Sequence, residues 1–183
     1  KTSANSYALP HAALYWPTAK NAPRNKVVRT PLGRPDFATA TTIVPSGETV
    51  IKLLAFAQDA LYILELFSCV DRLQRLNFSN SVFSGGKLEF VRLPFDLGIQ
   101  QIVTHPKRAG AILRLEGWTE APRYVNIEER TANVIALPLL PKSTVDFSTI
   151  DEVRLMATAK DGVQVPLSLI YKKGTRLDSN TST

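Results

Sequence analysis

Apolar and polar positions along this chain fall into short runs, most of a length that suits a strand. Four occupy its centre: Val50 to Phe56 (VIKLLAF), Asp59 to Phe67 (DALYILELF), Asp71 to Phe78 (DRLQRLNF) and Lys87 to Phe95 (KLEFVRLPF). Four more follow: Ile99 to His105, Gly110 to Trp118, Pro122 to Glu128 and Asn133 to Leu139. Proline, asparagine, glycine or charge falls between nearly all of them, residues that end a ladder or supply turn geometry. Ile112, Arg114 and Glu116 alternate with Ala111, Leu113 and Leu115, the period of a half-buried strand. The second run of each set is the most apolar, as a strand covered on both faces requires. Two sets of four at a period of ~40 to 50 residues predict stacked antiparallel meanders, the arrangement of propeller blades.

A helix competes for Val50 to Leu76. Leu53, Leu54, Ala57, Leu61 and Leu64 recur at roughly helical spacing among good helix formers. No capping box opens such a helix and Asp59 interrupts it, so strands are expected.

Before this centre, residues 1 to 6 are small and polar and expected to fray. Tyr7 to Trp16 is apolar with Pro10 inside, a strand or a loosely ordered arm. Asn21 to Asn25 (NAPRN) gathers turn formers, and Lys26 to Leu32 and Ala40 to Pro45 read as strands that complete part of a blade. Ser84-Gly85-Gly86 marks a turn. After the centre, Val153 to Ala159 and Val165 to Tyr171 flank Asp161-Gly162, which predicts a hairpin with a tight two-residue turn. Val165, Leu167, Leu169 and Tyr171 share one face of the second strand. Pro166 has no N–H to give, which puts it at a strand start or a sheet edge.

The segment EVRLMATAKDGVQVPLSLIYKKGTRLD, residues 152 to 178, resembles the place in prolyl oligopeptidase-family serine peptidases where the chain leaves the β-propeller for the catalytic α/β-hydrolase domain. NAPRNKVV, residues 21 to 28, is similar to a blade hairpin of that family, with Asn25 standing for a glycine. IQQIVTHPKRAGAILRLEGWTEAPRY, residues 99 to 124, is similar to its final blade. The resemblance spans about Leu14 to Asp178. It implies an all-β fold: antiparallel meanders from a partial seven-bladed propeller, about two and a half blades over residues 1 to 140. Residues 141 to 183 are then a linker and the hairpin that enters the hydrolase domain. The chain is expected to be a fragment, with no Pro-x-L-L run after Asp178 to open the next hydrolase strand.

Composition changes little in that picture. At 183 residues, 44% apolar and 21% charged, the chain can bury a core and is not compositionally disordered. No run approaches the ~20 apolar residues of a membrane helix, and no membrane partner is expected. Six of the 22 basic residues (Lys1, Lys20, Arg24, Lys26, Arg29 and Arg34) precede the first acid, Asp36; the other 16 are matched by 16 acids. A basic arm attracts polyanions. From Lys20 to Arg34 these charges instead alternate with Pro, Val and Leu, with no aromatic among them, so a solvated strand face is expected and no nucleic-acid site. The first residue is Lys1, which leaves a removed leader and the compartment open.

Candidate chemistry is sparse. The single Cys69 is expected to be a small buried side chain, inert and without a disulfide partner. There is no G-x-S-x-G; Ser84 precedes two glycines, but Val82 stands where the elbow needs another. His11 and His105 each adjoin a proline and read as turn residues. Two histidines and one cysteine, far apart, give no metal motif, and no phosphate-binding glycine loop occurs. Glu128-Glu129 and Asp151-Glu152 are neighbours that point to opposite faces of a strand, unable to converge for acid–base work. Trp16 and Trp118 are expected to pack, with a place in a propeller mouth as the alternative for an exposed one. No catalytic, cofactor-binding or metal residue is therefore assigned, and no cofactor is expected.

The leading reading is a non-catalytic propeller fragment of a prolyl oligopeptidase-like peptidase, gating and scaffolding a site that cleaves short peptides after proline. Its expected partners are the catalytic domain of the same parent and, through it, short peptides. Without those neighbours, open edges and faces predict self-association of the isolated chain. The alternative is a free-standing β-sheet module that binds peptide or protein along an exposed edge, and a third is a basic nucleic-acid-binding β protein.

Overall fold

The computed structural model describes residues 7–8, 13–78, 88–96, 98–129 and 131–178. Every regular element among them is a strand. The first sheet holds β1 (Tyr7–Ala8), β2 (Ala13–Thr18), β3 (Lys26–Pro31) and β4 (Thr41–Val44). The second holds β5 (Val50–Phe56), β6 (Ala60–Phe67), β7 (Val70–Asn77) and β8 (Leu88–Phe90). The third holds β9 (Gly98–His105), β10 (Arg108–Glu116), β11 (Arg123–Ile127) and β12 (Val134–Leu137). A separate hairpin, β13 (Ile150–Thr158) and β14 (Gln164–Lys172), follows. Each four-stranded sheet is an antiparallel meander with neighbours in chain order. The fold is all-β, built of blade-like meanders, and the N-terminal part completes a third four-stranded sheet.

Stacking of the sheets makes two cores. Leu61 and Ile63 of β6 face the first sheet, joining Ile51, Leu54 and Phe56 against Ala13, Tyr15, Val27 and Val44. Ala60, Tyr62 and Leu64 point the other way, onto Leu113, Leu115, Val125 and Ile127 of the third sheet. Alternate side chains of one strand thus fill two different interfaces, and Ala60 to Glu65 are all buried. At about 1.5–3 kcal/mol for each large aliphatic or aromatic side chain removed from water, these interfaces carry most of the hydrophobic stabilisation.

The same geometry disposes of the helix over Val50 to Leu76. Leu54 and Leu61 lie in the first core, Ala57 and Leu64 in the second. Their helix-like spacing arises because two faces are apolar at once, and the β5–β6 and β6–β7 ladders run through the whole stretch.

Two other expectations change in detail. Of the expected strand Lys87 to Phe95, the described residues, which begin at Leu88, pair over Leu88–Phe90. Beyond it Val91 gives one bond to Leu73 O at 2.9 Å, and Leu93 and Phe95 leave the ladder to pack on the core; Pro94 has no donor with which to continue it. The turn at Asp161-Gly162 is one residue longer than the tight form. Ala159 N–H donates to Val163 O at 2.8 Å and Gly162 N–H to Ala159 O at 2.9 Å, with Gly162 at φ 84°. That is a three-residue loop whose last position is left-handed, which is why glycine stands there.

Asn25 takes the conformation anticipated for it, φ 66°. Its side chain also donates to Ile51 O at 2.9 Å, while Ile51 N–H donates to Arg24 O at 3.1 Å. Asn25 therefore staples the first sheet to the second. Residues 1 to 6, His11, the Ser84-Gly85-Gly86 turn and the tail after Asp178 lie outside the described residues.

Candidate functional site

Two polar features stand between the layers. The first is a buried clasp joining the second and third sheets. Asp59, at the β5–β6 turn, accepts from Gly110 N–H at 2.9 Å and from Arg75 Nη2 at 3.2 Å. Arg75, buried on β7, also donates to the carbonyls of Glu128 and Glu129 beyond β11. Gly110 is at φ +80°, and a Cβ there would lie 2.5 Å from Ile127 O. Only glycine lets the strand approach closely enough to meet Asp59. Tyr62 lies beside this clasp; burial, reinforced by the negative charge of Asp59, pushes its hydroxyl well above the ordinary value of 10.0. Asp71 accepts from Lys52 Nζ at 2.7 Å within the second sheet and, across the interface, from Ile99 N–H of the third sheet at 2.8 Å. These groups hold the second and third sheets together.

The second feature is a cleft of about 620 Å³ where the third sheet meets the β13–β14 hairpin. The β6–β7 turn brings Cys69, β9 brings Gln100, and the end of β10 brings Glu116 and Trp118. β13 adds Glu152 and Arg154, and Ser168 comes from β14. Arg154 Nη2 reaches Asp96 Oδ2 at 3.1 Å, tying the hairpin to the segment between β8 and β9. Thr119 Oγ1 donates to Glu152 Oε2 at 3.3 Å, a second tie. A shallower groove of about 440 Å³, running along Val70 to Leu73 and Phe90 to Phe95, shares Asp96 and Arg154 with it.

Two sequence expectations are corrected at this cleft. Cys69 is exposed. Ser68 and Cys69 form the β6–β7 turn at φ 47° and 66°, and a hairpin tip projects beyond the layers that would cover it. Trp118 is 68% exposed and packs into neither core, because it follows the last paired residue of β10. Trp16 does meet a partner, lying edge-on to Phe37 at 5.0 Å. His105 is the exposed last residue of β9, and its Nδ1 accepts from Lys107 N–H at 3.1 Å across the turn that follows. Glu128 Oε2 accepts from the Thr131 hydroxyl at 2.7 Å and serves its own turn. Among the described residues no three of His, Cys, Asp and Glu gather as a metal site requires. No helix among them is long and apolar enough to cross a membrane. The clasp and the cleft escaped sequence reading because each assembles residues from separate sheets, with no local spacing to mark them.

No protein-family model and no curated protein matches the sequence. Solved structures do match. A prolyl endopeptidase structure superposes on 94% of this chain with TM-score 0.78 at 15% identity. The chain has the fold of part of a prolyl oligopeptidase propeller. Oligopeptidase B from Trypanosoma brucei, in a closed form with covalently bound antipain, matches 95% of the chain at TM-score 0.78 and 18% identity. Prolyl oligopeptidase B from Galerina marginata, bound to a 35mer hydrolysis and macrocyclization substrate, matches 96% at TM-score 0.77 and 17% identity. The chain spans about a quarter of the length of each, at 25%, 26% and 24%.

Proposed function

We propose that this chain is the non-catalytic propeller portion of a prolyl oligopeptidase-like serine peptidase. In this reading it gates and scaffolds an active site that cleaves short peptides after proline. The observation that carries the reading is the superposition of nearly the whole chain on one quarter of a prolyl endopeptidase, blades and following hairpin together. The sequence itself holds no G-x-S-x-G elbow, so the nucleophile belongs to a separate α/β-hydrolase domain. The β13–β14 hairpin supports this arrangement: Leu155, Met156, Val165, Leu167 and Ile170 are each more than two-fifths exposed, as a surface awaiting another layer would be.

Mixing the chain with a separately produced hydrolase domain of the same parent tests the reading. Hydrolysis of a prolyl peptide is expected from the mixture and from neither the chain alone nor a catalytic-serine variant of the mixture. Turnover by the highly purified chain alone, or none from a folded mixture, would overturn it. In isolation the chain is proposed to self-associate through the hairpin and its open sheet edges. Sedimentation at low micromolar concentration should show dimers, and a strictly monomeric species would favour a free-standing module.

A further inference from the structure

Where the third sheet gives way to the hairpin, the chain carries a pattern that neither of them uses. The last residue of β12 and the five that follow read Leu137-Pro138-Leu139-Leu140-Pro141-Lys142. Among the chain's 12 prolines, Pro138 and Pro141 are the one pair spaced three apart, and a leucine precedes each. Polyproline II turns once every three residues. In that conformation the two Leu-Pro steps share one face and Leu139 projects elsewhere. Proline holds its own φ near the value this helix needs and keeps the residue before it out of the α-helical region.

The fold leaves this stretch open. Pro138 to Lys142 are all exposed, Leu139 at 59% and Leu140 at 40%. Leu137, opposite Tyr124 at the end of the ladder, is half-buried. It ends the outer strand of the third sheet, whose far edge pairs with nothing among the described residues. Leu139 N–H donates to Leu137 O at 2.9 Å, a tight turn around Pro138. Among the described residues that is the only backbone bond made from Pro138 to Lys142. Their carbonyls are free for a donor from outside. Straightening the turn at Pro138 and the bend at Leu140 gives up that one exposed bond, which water can replace.

We infer that residues 137–142 are a docking motif for a separate protein domain with an aromatic-lined groove of the SH3 type. Leu137-Pro138 and Leu140-Pro141 each fill a slot between aromatic rings, and the free carbonyls accept from donors along the groove. Exposed Lys142 follows directly and pairs with an acid at the groove rim. Two prolines limit the chain entropy lost on binding. The motif goes beyond the peptidase reading and does not depend on it, since its partner is another protein and its readout is binding.

Calorimetric titration of the full 183-residue chain against a panel of purified SH3 domains tests the inference. At least one domain should bind saturably with a Kd below about 1 mM. For that domain, Pro138→Ala together with Pro141→Ala should weaken binding at least about tenfold, and Leu140→Ala by a similar factor. Leu139→Ala should change it less than about twofold, because that side chain points off the shared face. General stickiness would give the reverse order, since Leu139 is the more exposed of the two leucines. Pro45→Ala, at an exposed position after β4, should leave affinity unchanged. None of these side chains lies in either core, and circular dichroism checks that the variants stay folded. No saturable binding by any domain up to the millimolar range, a Leu139→Ala loss as large as that of Leu140→Ala, or indifference to the proline pair in a folded variant would overturn it.

Discussion

Strands β6 and β14 are similar in length and rich in aliphatic residues, yet they live in opposite surroundings. In β6, ALYILELF, the first six residues are buried, Glu65 among them. In β14, QVPLSLIYK, no residue is buried, and Leu167 and Ile170 keep nearly half their surface in water. Hydrogen bonding does not separate them, because β13 and β14 pair continuously over nine residues. Covering layers do. A sheet lies on each face of β6, whereas the hairpin is tied by Arg154–Asp96 and Thr119–Glu152 to the segments that flank β9 and β10. In this molecule a strand becomes core by the number of layers over it, and polar ties fix orientation between layers.

The largest effect expected from that contrast is at the clasp. Arg75→Met should cost about 3–5 kcal/mol in urea denaturation, because it leaves Asp59 buried without its cation. Arg123→Met breaks a pair whose members are about two-fifths exposed and should cost under about 1 kcal/mol. Comparable losses would mean that burial does not govern these ion pairs.

Next comes packing. Leu113→Ala, at a fully buried position, should lose about 2–5 kcal/mol. Leu167→Ala, at 45% exposure, should stay within about 0.5 kcal/mol. A large loss at Leu167 would show that a second layer covers the hairpin in solution, as self-association requires. The Leu167→Ala midpoint measured across protein concentrations separates the two cases.

Backbone sites sharpen the comparison further. Gly110 and Gly162 have nearly the same φ, +80° and +84°, but only Gly110 has backbone in the way. Gly162→Ala should cost about 1 kcal/mol for the left-handed conformation alone. Gly110→Ala should cost more, about 1–3 kcal/mol, since Ile127 must also move. Equal costs would place the close approach of β10 to β11 in doubt.

The smallest effect is a dependence on alkaline pH. The Tyr62 hydroxyl is raised above its ordinary value of 10.0, chiefly by burial. The folded chain then holds this proton after the unfolded chain has released it. Its contribution is complete below pH 10 and is lost as pH rises above that value. Tyr15, also raised by burial, acts in the same direction. Tyr62→Phe should flatten the alkaline fall in stability, followed by denaturation at a series of pH values. An unchanged slope would remove Tyr62 from the buried interface.

Strands were legible where apolar alternation and turn chemistry agree. Val50–Phe56 has the boundaries the pattern gives, and Asn25 adopts the left-handed backbone its side chain tolerates. Cys69 and Trp118 were not legible, because each stands at the end of an apolar run that looks like core. Whether such an end is covered depends on how far a neighbouring sheet extends. Leu88 to Phe95 shows the converse: Leu93 and Phe95 are apolar because they pack beneath the sheet after leaving its ladder.

The sequence by itself determined the elements and their order. Period-two alternation, proline and glycine act over a few residues and need no partner to exert their effect. Tertiary structure decided which strands are covered twice, which once and which barely at all. It also decided that Asp59 meets Gly110 and Arg75, and that Trp118, Glu116, Glu152 and Arg154 share one cleft. Burial and electrostatic pairing depend on distance in space, and stacked sheets bring together residues that no local spacing relates.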